Sequence, residues 1–285
     1  MGGRLWPYPH RADVMRSRFA PTPSGFLHEG NLVNLLLVSW LCEREGGELL
    51  LRIDNVDAQR QRPEYVQDIF DTLKWLNVRW SLGPQSIAEL DHMTATHVGE
   101  DFAHWRSKLL KLRRPYQAIK RDALHTFVCR CSRRDLALVG SRACIGDCAA
   151  LDLELVTGQT CLRGLLPEAH GALGQPVLWR REGIAAYHLA SIVDDDQLGI
   201  THVVRGADLL EATQIQLLLA DVLGLDQIRQ IVFLHHELLH DSTGEKLSKS
   251  TLKQGAPLAK TDERKARVVA LATEFGKPLG ITPPL

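Results

Sequence analysis

Between Asn31 and Glu43 the chain is apolar on nearly every side of a helix, at Leu32, Val33, Leu35, Leu36, Leu37, Val38, Trp40 and Leu41. A helix apolar all round is buried. Glu45-Gly46-Gly47 supplies the glycine that ends it. Upstream, Arg16 to Ala20 reads as a short strand running into the Pro/Gly/Ser loop Pro21 to Gly30. Downstream, Leu49-Leu50-Leu51-Arg52-Ile53 is a nearly continuous apolar run, typical of a buried parallel strand. Pro63 opens a second helix with Val66, Ile69, Phe70, Leu73 and Leu76 at helical spacing. Strand, glycine loop, buried helix, strand and helix predict a doubly wound α/β fold.

The pattern changes after residue 100. Residues 106–121 hold seven basic side chains: Arg106, Lys108, Lys111, Arg113, Arg114, Lys120 and Arg121. A cysteine cluster follows, and the whole reads as an insertion into the main sheet. The α/β pattern returns near 185, with strands at Val203–Gly206 and Ile231–Leu234 and a helix over about 210–223. A polar Gly/Lys/Ser loop and a short helical tail follow. The last ten residues, rich in Gly and Pro, are expected to fray.

Composition narrows the class. The 285 residues are 45% apolar and 24% charged, as in a soluble globular enzyme, which excludes a disordered or low-complexity chain. One main domain plus a subdomain is expected at this length. Lys plus Arg and Asp plus Glu both number 34, so any basic nucleic-acid surface must be local. No stretch approaches a membrane span, so no membrane partner is expected. The first 17 residues lack an apolar core, so no signal peptide is expected, and Met15 offers an alternative start. The cytoplasm is the expected compartment, and six cysteines then point to metal or free thiols.

Three segments carry candidate chemistry. The loop Pro21 to Asn31 leads into a buried helix, whose N-terminal N–H groups and dipole attract anions. His28 sits at its mouth, able to donate to a phosphate; the alternative is a capped helix with an exposed histidine. Far downstream, Gly244-Glu245-Lys246-Leu247-Ser248-Lys249-Ser250-Thr251 places two lysines three apart, which suits a mobile loop closing on a polyphosphate. Taken alone it reads as a solvated basic loop. Third, Cys129 and Cys131, then twelve residues, then Cys144 and Cys148 offer four thiolates suited to a closed tetrahedral zinc site. Cys42 and Cys161 read as core. A competing pattern, His236-Glu237-Leu238-Leu239-His240, fits the zincin motif but requires a helix, and this span leaves a strand and enters a glycine loop.

The two loops together resemble the signature pair of class I aminoacyl-tRNA synthetases. Leu27-His28-Glu29-Gly30-Asn31 is similar to HIGH and Lys246-Leu247-Ser248-Lys249-Ser250 to KMSKS. Arg18-Phe19-Ala20-Pro21-Thr22-Pro23-Ser24-Gly25, Leu51 to Asp57, Arg62 to Val66, Tyr187 to Ala190, Val193-Asp194-Asp195 and Gly199 to Gly206 resemble glutamyl-tRNA synthetase blocks, in order. Only about 35 residues follow the lysine loop. That shortness is similar to the glutamyl-Q tRNA(Asp) synthetases, short members of the family that lack the anticodon-binding region.

The resemblance implies a Rossmann-type parallel sheet with an inserted, zinc-containing acceptor-type subdomain. It implies segments at 1–15 (extension), 16–100 (first catalytic half), 101–165 (basic and zinc insertion), 166–255 (second half) and 256–285 (tail). The implied activity is glutamate adenylation by ATP without tRNA, then transfer to queuosine in the tRNA(Asp) anticodon loop. Arg18, Ala20, Thr22, Asp54, Tyr187 and Arg205 would hold glutamate. His28, Gly30, Asn31 and Lys249 would hold ATP, with His28, Lys246 and Lys249 catalytic, Mg²⁺ bridging the phosphates and structural Zn²⁺ on the four cysteines. The basic run with the zinc module is the expected tRNA surface. Neither DNA nor an obligate second copy is implied, so a monomer is expected. Two departures stand out. Asp54 is a methylene shorter than the family's glutamate, followed by Asn55, and Glu29 puts a negative charge in the phosphate loop that should repel ATP unless it points away. A ligase with another amino acid or a non-tRNA acceptor, and a non-catalytic binding paralogue, are the other readings.

Overall fold

The computed structural model describes residues 13–54, 61–94, 100–113, 122–141, 143–240 and 255–284, without the side chains of 91–105 and 133. In chain order the principal elements are β1 (Arg16–Phe19), α1 (Glu29–Arg44), β2 (Glu48–Leu51), α2 (Pro63–Trp75), α3 (Ile87–Thr94), α4 (Glu100–Lys111), β3 (His125–Cys129), α5 (Arg133–Leu138), β4 (Cys161–Leu165), β5 (Val177–Trp179), α6 (Tyr187–Gln197), β6 (His202–Gly206), α7 (Leu210–Leu223), β7 (Val232–His236) and α8 (Asp262–Gly276). No helix among the described residues is long and apolar enough to cross a membrane. The chain divides into two compact units, the first of Met1–Thr96, Asp196–Leu210 and Gln230–Leu285, the second of His97–Asp195 and Glu211–Arg229.

Parallel strands frame the first unit. β1 pairs with β2 in register Arg16↔Glu48 to Phe19↔Leu51, and β6 with β7 in register His202↔Val232 to Gly206↔His236. Leu82 bridges parallel to Leu50 on the far side of β2. The two pairs meet where the Thr201 N–H donates to the Arg16 carbonyl at 2.9 Å and the Arg16 N–H to Thr201 Oγ1 at 2.9 Å. Parallel neighbours need crossovers, and α1 supplies the one between β1 and β2. Ten residues of α1 are buried, from Leu32 to Cys42. Each Leu so buried contributes about 2 kcal/mol of transfer free energy, which is why the helix lies between the sheet and α8.

The C-terminal segment does not fray. Val268, Ala272 and Ile281 are fully buried in the core that holds α1. Gly276 is there for contact: a Cβ on it would meet the Ile281 carbonyl oxygen at 2.3 Å. The Ile281 N–H donates to the Gly276 carbonyl at 2.9 Å, and Arg44 donates to the Gly280 carbonyl.

The second unit is built on antiparallel strands in the order β3-β4-β5, with Cys129 opposite Cys161. Three members of the basic run have partners within this unit. Arg106 lies over the Trp179 ring at 5.7 Å, and Lys108 Nζ donates to the Leu223 carbonyl at 3.1 Å. Arg113 pairs with Asp152 at 2.8 Å and donates to the Leu153 carbonyl at 3.0 Å. These three cations are therefore not a free phosphate-binding row. Arg114, Lys120 and Arg121 lie outside the described residues.

Candidate functional site

The first unit gathers candidates at the carboxyl ends of its parallel strands, where open α/β sheets bind ligands. The β1–β2 ladder runs on past the strands: the Arg52 N–H donates to the Phe19 carbonyl and the Asp54 N–H to the Pro21 carbonyl, both at 3.0 Å. Asp54 thereby lies alongside Ala20, Pro21 and Thr22. Arg18 (6% exposed) on β1 and Arg205 (4% exposed) on β6 bring two buried guanidiniums into this unit. A buried cation needs an anion or a set of acceptors, and a carboxylate matches the guanidinium fork. Arg205 also lies over the Phe233 ring at 4.9 Å.

His28 is the N-cap of α1, so the helix begins at Glu29, two residues earlier than its apolar pattern predicts. The His28 N–H donates to Asn31 Oδ1 at 3.1 Å. Asn31 therefore fastens the cap, a structural task beside the ATP contact expected for it. Gly30 leaves room for the imidazole, since a Cβ there would lie 3.1 Å from His28 Cε1 and Nδ1. The loop is anchored from α2: the Leu27 N–H donates to Asp68 Oδ2 at 3.0 Å, and Lys260 Nζ donates to Asp68 Oδ1 at 2.7 Å. Asp68 is 5% exposed, so the lysine offsets a desolvated charge.

Glu29 does not face the loop as a bare charge. Its oxygens lie 3.6 Å from Arg264 Nε and 3.3 Å from Arg267 Nη2, both on α8. The repulsion expected from sequence is therefore offset. Sequence reasoning passed over Asp68, Lys260, Arg264 and Arg267. Asp68 carries a weak signal, as a carboxylate between Val66 and Ile69 on the buried side of α2.

Tyr187 opens α6 in the second unit and is 38% exposed. Lys246 and Lys249 lie outside the described residues, as does Asn55. The zincin pattern fails. His236 ends β7, Glu237 to Leu239 are not helical, and His240 stands in an isolated bridge. His236 Nδ1 lies 2.7 Å from the Glu237 carbonyl, its Nε2 faces the Asn34 carboxamide at 3.2 Å, and its ring stacks on Phe275.

The four cysteines do converge in the second unit. The sulfurs of Cys129, Cys131, Cys144 and Cys148 all lie within 4.8 Å of one another. Zn–S bonds of about 2.3 Å set tetrahedral sulfurs about 3.8 Å apart, so the cluster is of ligand size. β3 delivers Cys129, and the Cys131 N–H donates back to its sulfur at 3.4 Å. Ser132 and Asp135 form a capping box that starts α5 directly after Cys131. Gln175 Oε1 accepts the Cys144 N–H at 2.8 Å. Burial pushes the Cys144 thiol up to about 12 and raises Cys148 as well. At Cys131 burial pushes upward too, but the Ile145 N–H and the neighbouring thiols outweigh it and the thiol falls below its ordinary value. Four thiols this close cannot ionise together unaided, whereas a divalent cation takes them as thiolates. Cys161 is core, as expected, yet not apart: its thiol donates to the Cys129 carbonyl at 3.5 Å. Cys42 is buried, with its thiol pushed up to about 12 by that burial.

Comparison with known proteins agrees with this geometry. The family of tRNA synthetases class I (E and Q), catalytic domain, matches residues 14–121 and 162–277. The interval between, 122–161, holds the four cysteines. A Synechococcus protein named Glutamyl-Q tRNA(Asp) synthetase is 38% identical over 244 residues, covering 82% of this chain and 73% of its own. One of the same name from Nitratidesulfovibrio vulgaris is 33% identical over 267 residues, covering 83% of this chain and 78% of its own. Among solved structures, glutamate-tRNA synthetase from Elizabethkingia anophelis superposes with a TM-score of 0.59 at 20% identity, over 86% of this chain and 55% of that one. The last likeness is one of fold.

Proposed function

The chain belongs to the class I tRNA synthetase (E and Q) family, and from that premise we propose that it activates glutamate with ATP in the absence of tRNA and transfers it to queuosine in the anticodon loop of tRNA(Asp). The observation that carries this is the identity with relatives named Glutamyl-Q tRNA(Asp) synthetase over most of both lengths.

In this reading the glutamate carboxylate attacks the α-phosphate of ATP and pyrophosphate leaves. Such a reaction needs positioning and charge stabilisation rather than a covalent nucleophile. Arg18, with Arg205, pairs with the side-chain carboxylate of glutamate. Thr22 and Asp54 take its α-carboxylate and α-amino ends beside Ala20, and the family's pattern assigns Tyr187 to glutamate binding. The α1 N-terminus, with His28 over Gly30 and Asn31 holding the cap, receives the phosphates. Lys246 and Lys249 stabilise the transferring group and the leaving pyrophosphate, and Mg²⁺ accompanies the ATP. Zn²⁺ on Cys129, Cys131, Cys144 and Cys148 supplies a structural cross-link. The protein acts as a cytoplasmic monomer, with tRNA reaching it through the zinc-bearing unit.

The test is ATP–pyrophosphate exchange without tRNA across the standard amino acids. Exchange with glutamate alone is the expected result, followed by glutamate transfer to queuosine-containing tRNA(Asp) and not to the same tRNA lacking queuosine. Exchange with another amino acid, or with none, overturns the glutamate assignment.

A further inference from the structure

Glu29 occupies the first turn of α1, the end that must accept phosphate in the reading above. A carboxylate in a helix's first turn is itself drawn to the positive end of the dipole. Left to itself, Glu29 would compete with ATP for the same N–H groups and repel it. Its oxygens are instead taken by Arg264 and Arg267 at 3.6 and 3.3 Å. Glu29 is only 15% exposed, so its charge is poorly screened by water, while Arg267 is 66% exposed. The three side chains sum to one positive charge beside the loop, where Glu29 alone would give one negative.

The helix that carries these arginines is itself held in place. Lys260, just ahead of it, pairs with Asp68, and Lys265 donates to the Trp75 carbonyl at 3.0 Å at the end of α2. Val268 and Ala272 are fully buried in the core shared with α1. The α8 cations therefore sit on a rigid mount rather than on a loose tail.

We propose that Arg264 and Arg267 are positioning residues of the nucleotide site: they hold the Glu29 carboxylate off the α1 N-terminus so that a nucleoside triphosphate can take that end. The proposal rests on the assignment of ATP to this loop. It extends the site to α8.

The experiment is calorimetric titration of MgATP, without amino acid, into the full chain at low and high salt. Arg264→Ala/Arg267→Ala is expected to weaken ATP binding at least about tenfold at low salt, since the pair removes two unit charges at partly screened range. The loss should shrink as salt rises. Adding Glu29→Gln to that double variant should restore part of the lost affinity, whereas a merely structural role of the arginines predicts no rescue. Arg264→Lys/Arg267→Lys should bind as the unaltered chain does. Equal affinity of the double alanine variant, or failure of Glu29→Gln to rescue it, overturns the proposal. If the unaltered chain binds no ATP, the functional reading and this one fall together. If it binds ATP but exchanges pyrophosphate with an acid other than glutamate, only the glutamate assignment falls.

Discussion

Lys260 Nζ lies 2.7 Å from one oxygen of Asp68, while the other oxygen accepts the Leu27 N–H, so a residue late in the chain sets the backbone of a loop near its start. Lys260→Met leaves a buried carboxylate with one partner and is expected to cost about 1–3 kcal/mol of stability. Asp68→Asn in the same background should recover part of that loss, because it removes the uncompensated charge. Urea unfolding of the two single variants and the double gives the coupling energy; strict additivity would show that the pair is only incidental.

Gly30→Ala separates the placement of His28 from the stability of the fold. The new Cβ would come within 3.1 Å of the imidazole and push it aside. The imidazole must give by a few tenths of an ångström, well short of the displacement near 1 Å that costs roughly 100-fold in rate, whereas alanine in a helix is no worse than glycine for stability. Pyrophosphate exchange should therefore fall severalfold with no loss of melting temperature.

The cysteine cluster predicts one equivalent of zinc per chain by elemental analysis. Cys144→Ser or prolonged chelation should remove it and lower the melting temperature, because structural zinc binding is coupled to folding. Cys161→Ser should leave the stoichiometry at one, since Cys161 lies outside the set of four sulfurs. Its loss of zinc would show that the ligand set is wrong.

Acid should weaken the fold. Burial holds His202, His235 and His236 below their ordinary value of 6.5. The unfolded chain then binds more protons than the native one in this range, so stability is full above about 6.5 and declines as pH falls toward the lowered native values. The urea midpoint should drop between pH 7.5 and 5.5, and His236→Gln should flatten that drop.

The catalytic half of the fold could be read because its cues are local. α1 is apolar all round, the loop before it is built of Pro, Gly and Ser, and the two cysteine pairs have ligand spacing. What could not be read depends on partners far along the chain. Glu29 looks repulsive until Arg264 and Arg267 are placed beside it. Asp68 resembles its polar neighbours Gln67 and Asp71 until Lys260, 192 residues away, closes on it. Arg106, Lys108 and Arg113 are anonymous charges until Trp179, the Leu223 carbonyl and Asp152 claim them. Composition misled at the C-terminus, where Gly276 serves close packing and not looseness.

The core around α1 closes late. Its partners Val204, Val268, Ala272 and Ile281 are made about 160 to 240 residues after the helix ends at Arg44. At about 5–20 residues per second, a ribosome leaves that largely apolar helix without its full seal for roughly 10–50 s. A nascent chain stalled before α8 should therefore be a strong client for ribosome-associated holdases, and one released with α8 complete a weak one.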